Sequence, residues 1–249
     1  MGLTKPIEQL FIKLSRYSYV SKKYYTREYR MEVRMSHCSK IIRKDKVLEN
    51  ISLEFISGKV YGLRGVNGSG KTMLLRLLCG LIYASEGEVV IDGQVLGKDI
   101  SFPPSVGVLI ENPGFLPEFS GYDNLYAISQ IKKKIGRNEI EAIMREFDLD
   151  PGERKHYRKF SLGMKQKLGL CAAFMEQPDM ILLDEPTNAL DEHSVMVLKQ
   201  EIERQKERGA LIVLASHDRE TLNMLADEMI EIENGKIRGA EVHDQKEKK

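Results

Sequence analysis

The residues Gly65-Val66-Asn67-Gly68-Ser69-Gly70-Lys71-Thr72 follow the spacing G-x-x-x-x-G-K-T with every fixed position filled. That spacing suits the binding of phosphate. Glycines let successive backbone N–H groups curl around an anion with no Cβ in the way. A helix starting where the loop ends would add the anion preference of its N-terminus. Lys71 has the reach for β- and γ-phosphates, and the Thr72 hydroxyl is a hard oxygen ligand suited to Mg²⁺. A Gly-rich turn that binds nothing is the plain alternative. The flanks argue against it: Lys59-Val60-Tyr61-Gly62-Leu63 reads as a short strand, and the helix formers from Thr72 to Leu78 follow directly.

A second constellation is Met180-Ile181-Leu182-Leu183-Asp184-Glu185-Pro186, four apolar residues followed by two carboxylates. The apolar run predicts a buried strand with the acids emerging at its C-terminal end, where open α/β sheets bind ligands. Asp184 suits a Mg²⁺ role, direct or through water. Glu185, one residue on, is placed for general-base work on a water at the γ-phosphate. Two solvated acids capping a strand would look the same in isolation; beside the Gly65–Thr72 loop the catalytic reading is favoured.

These groups need elements to hold them. The continuous apolar runs Met180–Leu183 and Leu211–Ala215 predict strands buried on both faces of a parallel sheet. A helix is expected over about 194–207 between them. Val47 to Phe55 alternates as a strand, Glu88–Ile91 predicts another strand ending in a turn at Asp92-Gly93, and Ser105–Ile110 a further short one. The chain from about Ser120 to Gln177 reads as mostly helical, broken at Pro151-Gly152. Met229 to Ile237 reads as a hairpin about Asn234-Gly235.

The 249 residues are enough for one large domain or two lobes, and 42% hydrophobic content supplies a core. The net charge of +1 gives no sign of a nucleic-acid partner. No uninterrupted run of about 18 apolar residues is present, so no membrane span is expected, and no signal peptide is visible. The cysteines, Cys38, Cys79 and Cys171, lie far apart and read as buried reduced thiols. Residues 1–30 differ from the rest, with seven Lys/Arg against two Glu and five of the ten tyrosines. Ile7, Leu10, Phe11 and Leu14 fall at helical spacing there. A terminal helix packed on the body, or a loose terminus, is the first reading of this extension; a basic amphipathic arm touching a membrane or partner is the second. Residues 241–249 read as a charged tail.

Taken together the motifs resemble the ATP-binding cassette (ABC) ATPases over roughly residues 31–240. Phe160-Ser161-Leu162-Gly163-Met164 stands where the family has its L-S-G-G-Q signature, Asn188-Ala189-Leu190-Asp191 where it has the D-loop, His217 at the switch histidine, and Glu111 where a glutamine is usual. The resemblance implies a P-loop NTPase fold of the α/β class: a RecA-like core, an antiparallel β subdomain, and a helical subdomain at about 118–176. It implies ATP and Mg²⁺ as ligands, with Gly65, Asn67, Gly68, Ser69, Gly70, Lys71 and Thr72 holding phosphate. It also implies that Thr72, Asp184 and Glu111 face the metal, that Glu185, His217 and Lys71 are catalytic, and that Ser161 and Gly163 meet the nucleotide of a second subunit.

Three departures stand out. Leu162 and Met164 replace a glycine and a glutamine of the signature. Glu111 adds negative charge near the nucleotide. Ile42 falls at the position where an aromatic residue commonly stacks on adenine, so the base is expected to meet apolar area without π-stacking; Tyr29 is an alternative, and the choice of ATP over GTP stays open. The sequences around Glu111 and Ser161 look like the branch of bacitracin-resistance and lantibiotic-immunity exporters. The expected protein is therefore the ATPase subunit of an exporter of antimicrobial peptides, antibiotics or other hydrophobic compounds. Its expected place is cytoplasmic, on the inner face of the cell membrane, paired with a second ABC ATPase subunit and a separate transmembrane permease, with no nucleic acid. The alternative is a clamp ATPase acting on a macromolecular complex; the 87 residues between Thr72 and Phe160 lack the heptads of its DNA-end members. A non-catalytic partner cassette is a third reading, opposed by Glu185 and His217.

Overall fold

The computed structural model describes residues 31–111 and 114–242. The expectations for the 1–30 extension, Tyr29 and the end of the tail lie outside the described residues. β1 (Glu32–Ile42) and β2 (Asp45–Ile56) form a long antiparallel pair, and β3 (Val60–Arg64) leads through the Gly-rich loop into α1 (Lys71–Leu78). β4 (Glu86–Ile91), β5 (Gln94–Val95) and β6 (Val106–Leu109) precede three helices, α2 (Gly121–Lys132), α3 (Arg137–Glu146) and α4 (Leu162–Phe174). β7 (Met180–Asp184), α5 (Glu192–Glu207), β8 (Leu211–Ser216) and α6 (Arg219–Leu225) follow, then the hairpin of β9 (Glu228–Glu233) and β10 (Lys236–Val242).

The strands make two sheets, a four-stranded one ordered β2-β1-β4-β5 and a six-stranded one ordered β10-β9-β3-β8-β7-β6. In the larger sheet β3, β6, β7, β8 and β9 are all parallel to their neighbours; only β10 runs against β9. The direction matters for chemistry. It brings the C-terminal ends of β3, β7 and β8 to one edge, with Arg64 opposite Ser216 and Asp184 opposite Ala215.

The apolar runs are buried on both faces, as parallel strands covered twice must be. Ile181, Leu183, Ile212 and Leu214 join one core with Leu198 and Ile202 of α5, Phe174 of α4 and Phe147. Met180, Leu182, Leu211, Val213 and Ala215 point the other way, into a core shared with Leu74, Leu77 and Leu78 of α1 and with Phe55, Ile51 and Val33 of the antiparallel sheet. Alternation within a continuous hydrophobic run thus serves two cores at once. Among the described residues no helix is long and apolar enough to cross a membrane.

Side-chain caps explain several helix starts. Ser120 accepts from the N–H of Asp123, and Asp191 from that of Ser194. Loss of such a cap costs about 1 kcal/mol. The stretch 120–177 is less continuous than its sequence reading. α2 stops at Lys133, a non-glycine residue at φ 53, and α3 stops before Asp148 at φ 54, ahead of the expected break at Pro151-Gly152. α6 was not read from the sequence at all, although Asp218 caps it by accepting from the N–H groups of Glu220 and Thr221. The three cysteines are free and buried, as their spacing suggested.

Candidate functional site

The loop between β3 and α1 is built for close approach. Gly70 sits at φ 111, which a residue with a Cβ rarely adopts, and a Cβ there would lie 2.9 Å from the Leu48 side chain. Lys71 is only 5% exposed, and its ammonium folds back into the loop, donating to the carbonyls of Gly65 at 2.6 Å and Val66 at 3.2 Å. Ser69 Oγ is buried without a hydrogen-bond partner in the same loop. An ammonium held by carbonyls, an orphan hydroxyl and a curl of amides at a helix start together match the needs of a polyphosphate.

Parallel pairing sets the acids opposite this loop. Thr72 Oγ1 donates to Asp184 Oδ2 at 2.6 Å, joining the start of α1 to the end of β7. Both are hard oxygen groups, and no larger cluster of His, Cys, Asp or Glu able to hold a metal occurs among the described residues. A short protein ligand set that leaves other positions to phosphate and water fits Mg²⁺. Burial pushes the Asp184 carboxyl above the usual range; the Thr72 hydrogen bond and Lys71 act against that, and the charges of Glu185 and Glu111 add to it. A cation placed there would relieve the repulsion.

Glu185 leaves β7 with φ 47, and its N–H donates to the Ala215 carbonyl at 2.8 Å. Its carboxylate accepts from Ser216 Oγ at 3.2 Å and from the His217 N–H at 3.1 Å, and it meets His217 Nδ1 at 3.0 Å. Lys71 Nζ lies 4.0 Å away. A carboxylate, an imidazole and an ammonium converge at the sheet edge, an arrangement able to take a proton and to neutralise a developing phosphate charge.

The other residues singled out from sequence are placed differently. Glu111, at φ 56 just after β6, pairs with Arg76 of α1 at 2.7 Å. Ile42, at the far end of β1, is 38% exposed. A cleft of about 560 Å³ runs along the loop and is walled by Lys46, Val47, Met73, Asn234 and Gly235 together with Thr72, Asp184 and Glu185; Ile42, Ser161 and Gly163 do not line it. Ser161 instead caps α4, its Oγ accepting from the Met164 N–H at 3.2 Å, and both Ser161 and Leu162 are exposed. Gly163 packs against the loop after Glu185, where a Cβ would lie 2.8 Å from the Ala189 carbonyl oxygen.

Sequence reasoning missed several contributors. From sequence Val47 is only the start of a strand, Lys46 is not singled out, and Asn234-Gly235 is only a hairpin turn. Yet the Gly235 N–H donates to the Ser69 carbonyl at 2.8 Å, and the Gly235 carbonyl accepts from the Glu49 N–H at 2.8 Å, so the turn clamps the loop to β2. The Asn-Gly pair was the available signal for the turn; nothing local announced its partners.

The profile of the family described as ABC transporter matches residues 48–188. The uncharacterized ABC transporter ATP-binding protein YybJ of Bacillus subtilis (strain 168) is 44% identical over 209 residues, which cover 84% of this chain and 96% of that protein. The lantibiotic transport ATP-binding protein SrtF of Streptococcus pyogenes is 31% identical, covering 82% and 88%. The bacitracin transport ATP-binding protein BcrA of Enterococcus faecalis is 33% identical over 73% of this chain, and the match spans 59% of that protein's length. Among solved structures, the ATP-binding subunit of an ABC transporter superposes with a TM-score of 0.77 at 26% identity, covering 85% of this chain and 90% of that one. A bacterial ABC transporter cassette in dimeric form gives a TM-score of 0.75 at 22% identity, covering 84% and 98%, and so shares the fold.

Proposed function

This chain belongs to the ABC transporter family, and on that premise we propose that it hydrolyses ATP to power export through a separate membrane subunit. The observation carrying the proposal is the 2.6 Å contact between Thr72 and Asp184, which joins a phosphate-binding loop to the acid pair. On this reading Lys71 exchanges the carbonyls of Gly65 and Val66 for phosphate oxygens. Thr72 and Asp184 would hold Mg²⁺, with Glu111 near it, and the metal would supply charge neutralisation on the phosphates. Glu185 turns from His217 to a water and takes its proton as the water attacks the γ-phosphorus. The bond to the β,γ-bridging oxygen breaks and ADP leaves, while His217 contacts the transferring group.

Ser161 and Gly163 do not line this chain's own cleft, which supports a head-to-tail pair. Each nucleotide would lie between the loop of one subunit and the α4 start of the other. The bacitracin and lantibiotic transport names of relatives support an antimicrobial peptide, an antibiotic or another hydrophobic compound as cargo; on the same reading the chain would work at the cytoplasmic face of the cell membrane. Those names also weigh against the clamp ATPase reading.

The test is purification of a tagged Glu185→Gln chain from its native membranes with Mg-ATP. One polytopic membrane protein recovered in stoichiometric amount is the expected result. Recovery with ribosomes, with DNA or with no partner would overturn the transport reading.

A further inference from the structure

Resting on the two-subunit reading above, we propose that Gln166 is a positioning residue that ties the α4 start, which serves one nucleotide, to Glu185, which serves the other. Gln166 lies one turn into α4, half-buried, and its Nε2 donates to the carbonyls of Glu185 and Pro186, each at 3.0 Å. Both partners are acceptors only, so the amide nitrogen must face them. The contact falls on a strained residue. Glu185 is not a glycine, yet it holds φ 47, a left-handed conformation that persists only where the surroundings enforce it. The enforcing main-chain contacts are few: the Ala215 carbonyl takes the Glu185 N–H, while Gln166 and the Asn188 N–H hold the Glu185 carbonyl.

A second seam runs beside the first, with Gly163 seated against the Ala189 carbonyl. The exposed end of α4 and the segment 185–189 are therefore joined at two points and move as one body. When the partner's nucleotide is gripped at Ser161 and Gly163, the displacement of α4 reaches the backbone of Glu185. The loop Gly65–Thr72 meets this segment through side chains alone, Lys71 at Glu185 and Thr72 at Asp184, and not through the backbone that Gln166 holds. Gln166 thus couples the two clefts of a dimer without touching either nucleotide, and it sets the aim of the base rather than the affinity of the loop.

The test is steady-state ATP hydrolysis by the full chain, wild type against Gln166→Ala and Gln166→Glu, over a range of ATP concentration and pH. Gln166→Ala is expected to lower kcat by about ten- to a hundredfold, the scale of a base misplaced by a fraction of an ångström to one ångström. KM and nucleotide binding to the isolated chain should hold, and the Hill coefficient should fall to about 1. Gln166→Glu should be as slow at neutral pH, because a carboxylate then faces two carbonyls. It should recover as the pH falls and its protonated form donates again, which Gln166→Ala cannot do. Unchanged kcat and cooperativity in Gln166→Ala, or a loss carried entirely by KM, overturns the inference. Should that variant fail to fold, a Gln166→Glu profile parallel to the wild type overturns it equally. Absence of hydrolysis by the wild type, or of an ATP-dependent dimer in Glu185→Gln, would overturn the proposed function and this inference with it.

Discussion

The guanidinium of Arg76 lies 2.7 Å from the carboxylate of Glu111, so the acid that departs from the family's usual glutamine has its own counter-ion on the helix that follows the phosphate loop. Glu111 is also close enough to Asp184 to raise its pKa. Arg76 therefore offsets a charge that would otherwise oppose nucleotide. The pair is only part-buried, at 27% and 59% side-chain exposure, so its worth is that of a screened surface pair. Arg76→Ala is expected to weaken ATP binding by about two- to fivefold at low salt, and Glu111→Gln in the same chain to restore it. Titration with a fluorescent ATP analogue checks this; additive losses in the double variant would show the two side chains to be independent.

Lys71 is the buried cation of the loop. Lys71→Ala is expected to reduce nucleotide affinity or turnover by about a hundredfold or more, the scale of one lost phosphate donor. Removing the ammonium takes its donor from the Gly65 carbonyl, while the Val66 carbonyl keeps the Ser69 N–H, so a thermal melt must accompany the binding isotherm. Normal turnover by a folded variant would refute the assignment of the loop.

Glu185 and His217 are expected to separate kinetically. Glu185→Gln should still bind ATP and hydrolyse it slower by about 10²–10⁴-fold. His217→Ala removes the imidazole from the Glu185 carboxylate but leaves the Ser216 hydroxyl and the backbone N–H of residue 217 in place, so a smaller loss is expected. Single-turnover rates on both variants decide the order.

Asp184 gives a pH-dependent signature. Its pKa is raised by burial first, so the folded chain holds a proton where the unfolded chain has lost it. The folded state therefore loses stability as the pH rises from the ordinary carboxylate value through the raised one, and the penalty is complete above it. Asp184→Asn removes that penalty and keeps an acceptor for Thr72. It is expected to raise the melting temperature of the nucleotide-free chain at neutral pH and to abolish the further rise that Mg-ATP gives the wild type. A lower melting temperature without nucleotide would contradict the electrostatic account.

Legibility in the sequence followed the range of the interactions. The runs 180–183 and 211–215 announced buried parallel strands because burial on both faces leaves no polar position. The loop and the Asp184-Glu185 pair could be read because their chemistry is written in adjacent residues. The breaks at Lys133 and Asp148 could not, since a left-handed residue without glycine carries no local mark. The Arg76–Glu111 pair, the walls at Lys46 and Val47, and the hold of Gln166 on Glu185 are contacts between distant segments and became visible only in three dimensions. Ile42 was singled out by resemblance, as the match to the family's adenine-stacking position, whereas the cleft is walled by Lys46 and Val47, a few positions further on beyond the turn between β1 and β2.

The Gly235 clamp also dictates when the cleft can exist. Its turn fastens the Ser69 carbonyl on one side and the Glu49 N–H on the other, and β9 behind it pairs with β3. A nascent chain presents its complete glycine-rich loop long before residue 235 is made, and closing so wide a separation is a late, slow event in folding. The cleft thus gains its last wall only when the hairpin of β9 and β10 is in place. A chain interrupted before Asn234 would carry the whole Gly65–Thr72 loop and still have an unfinished cleft.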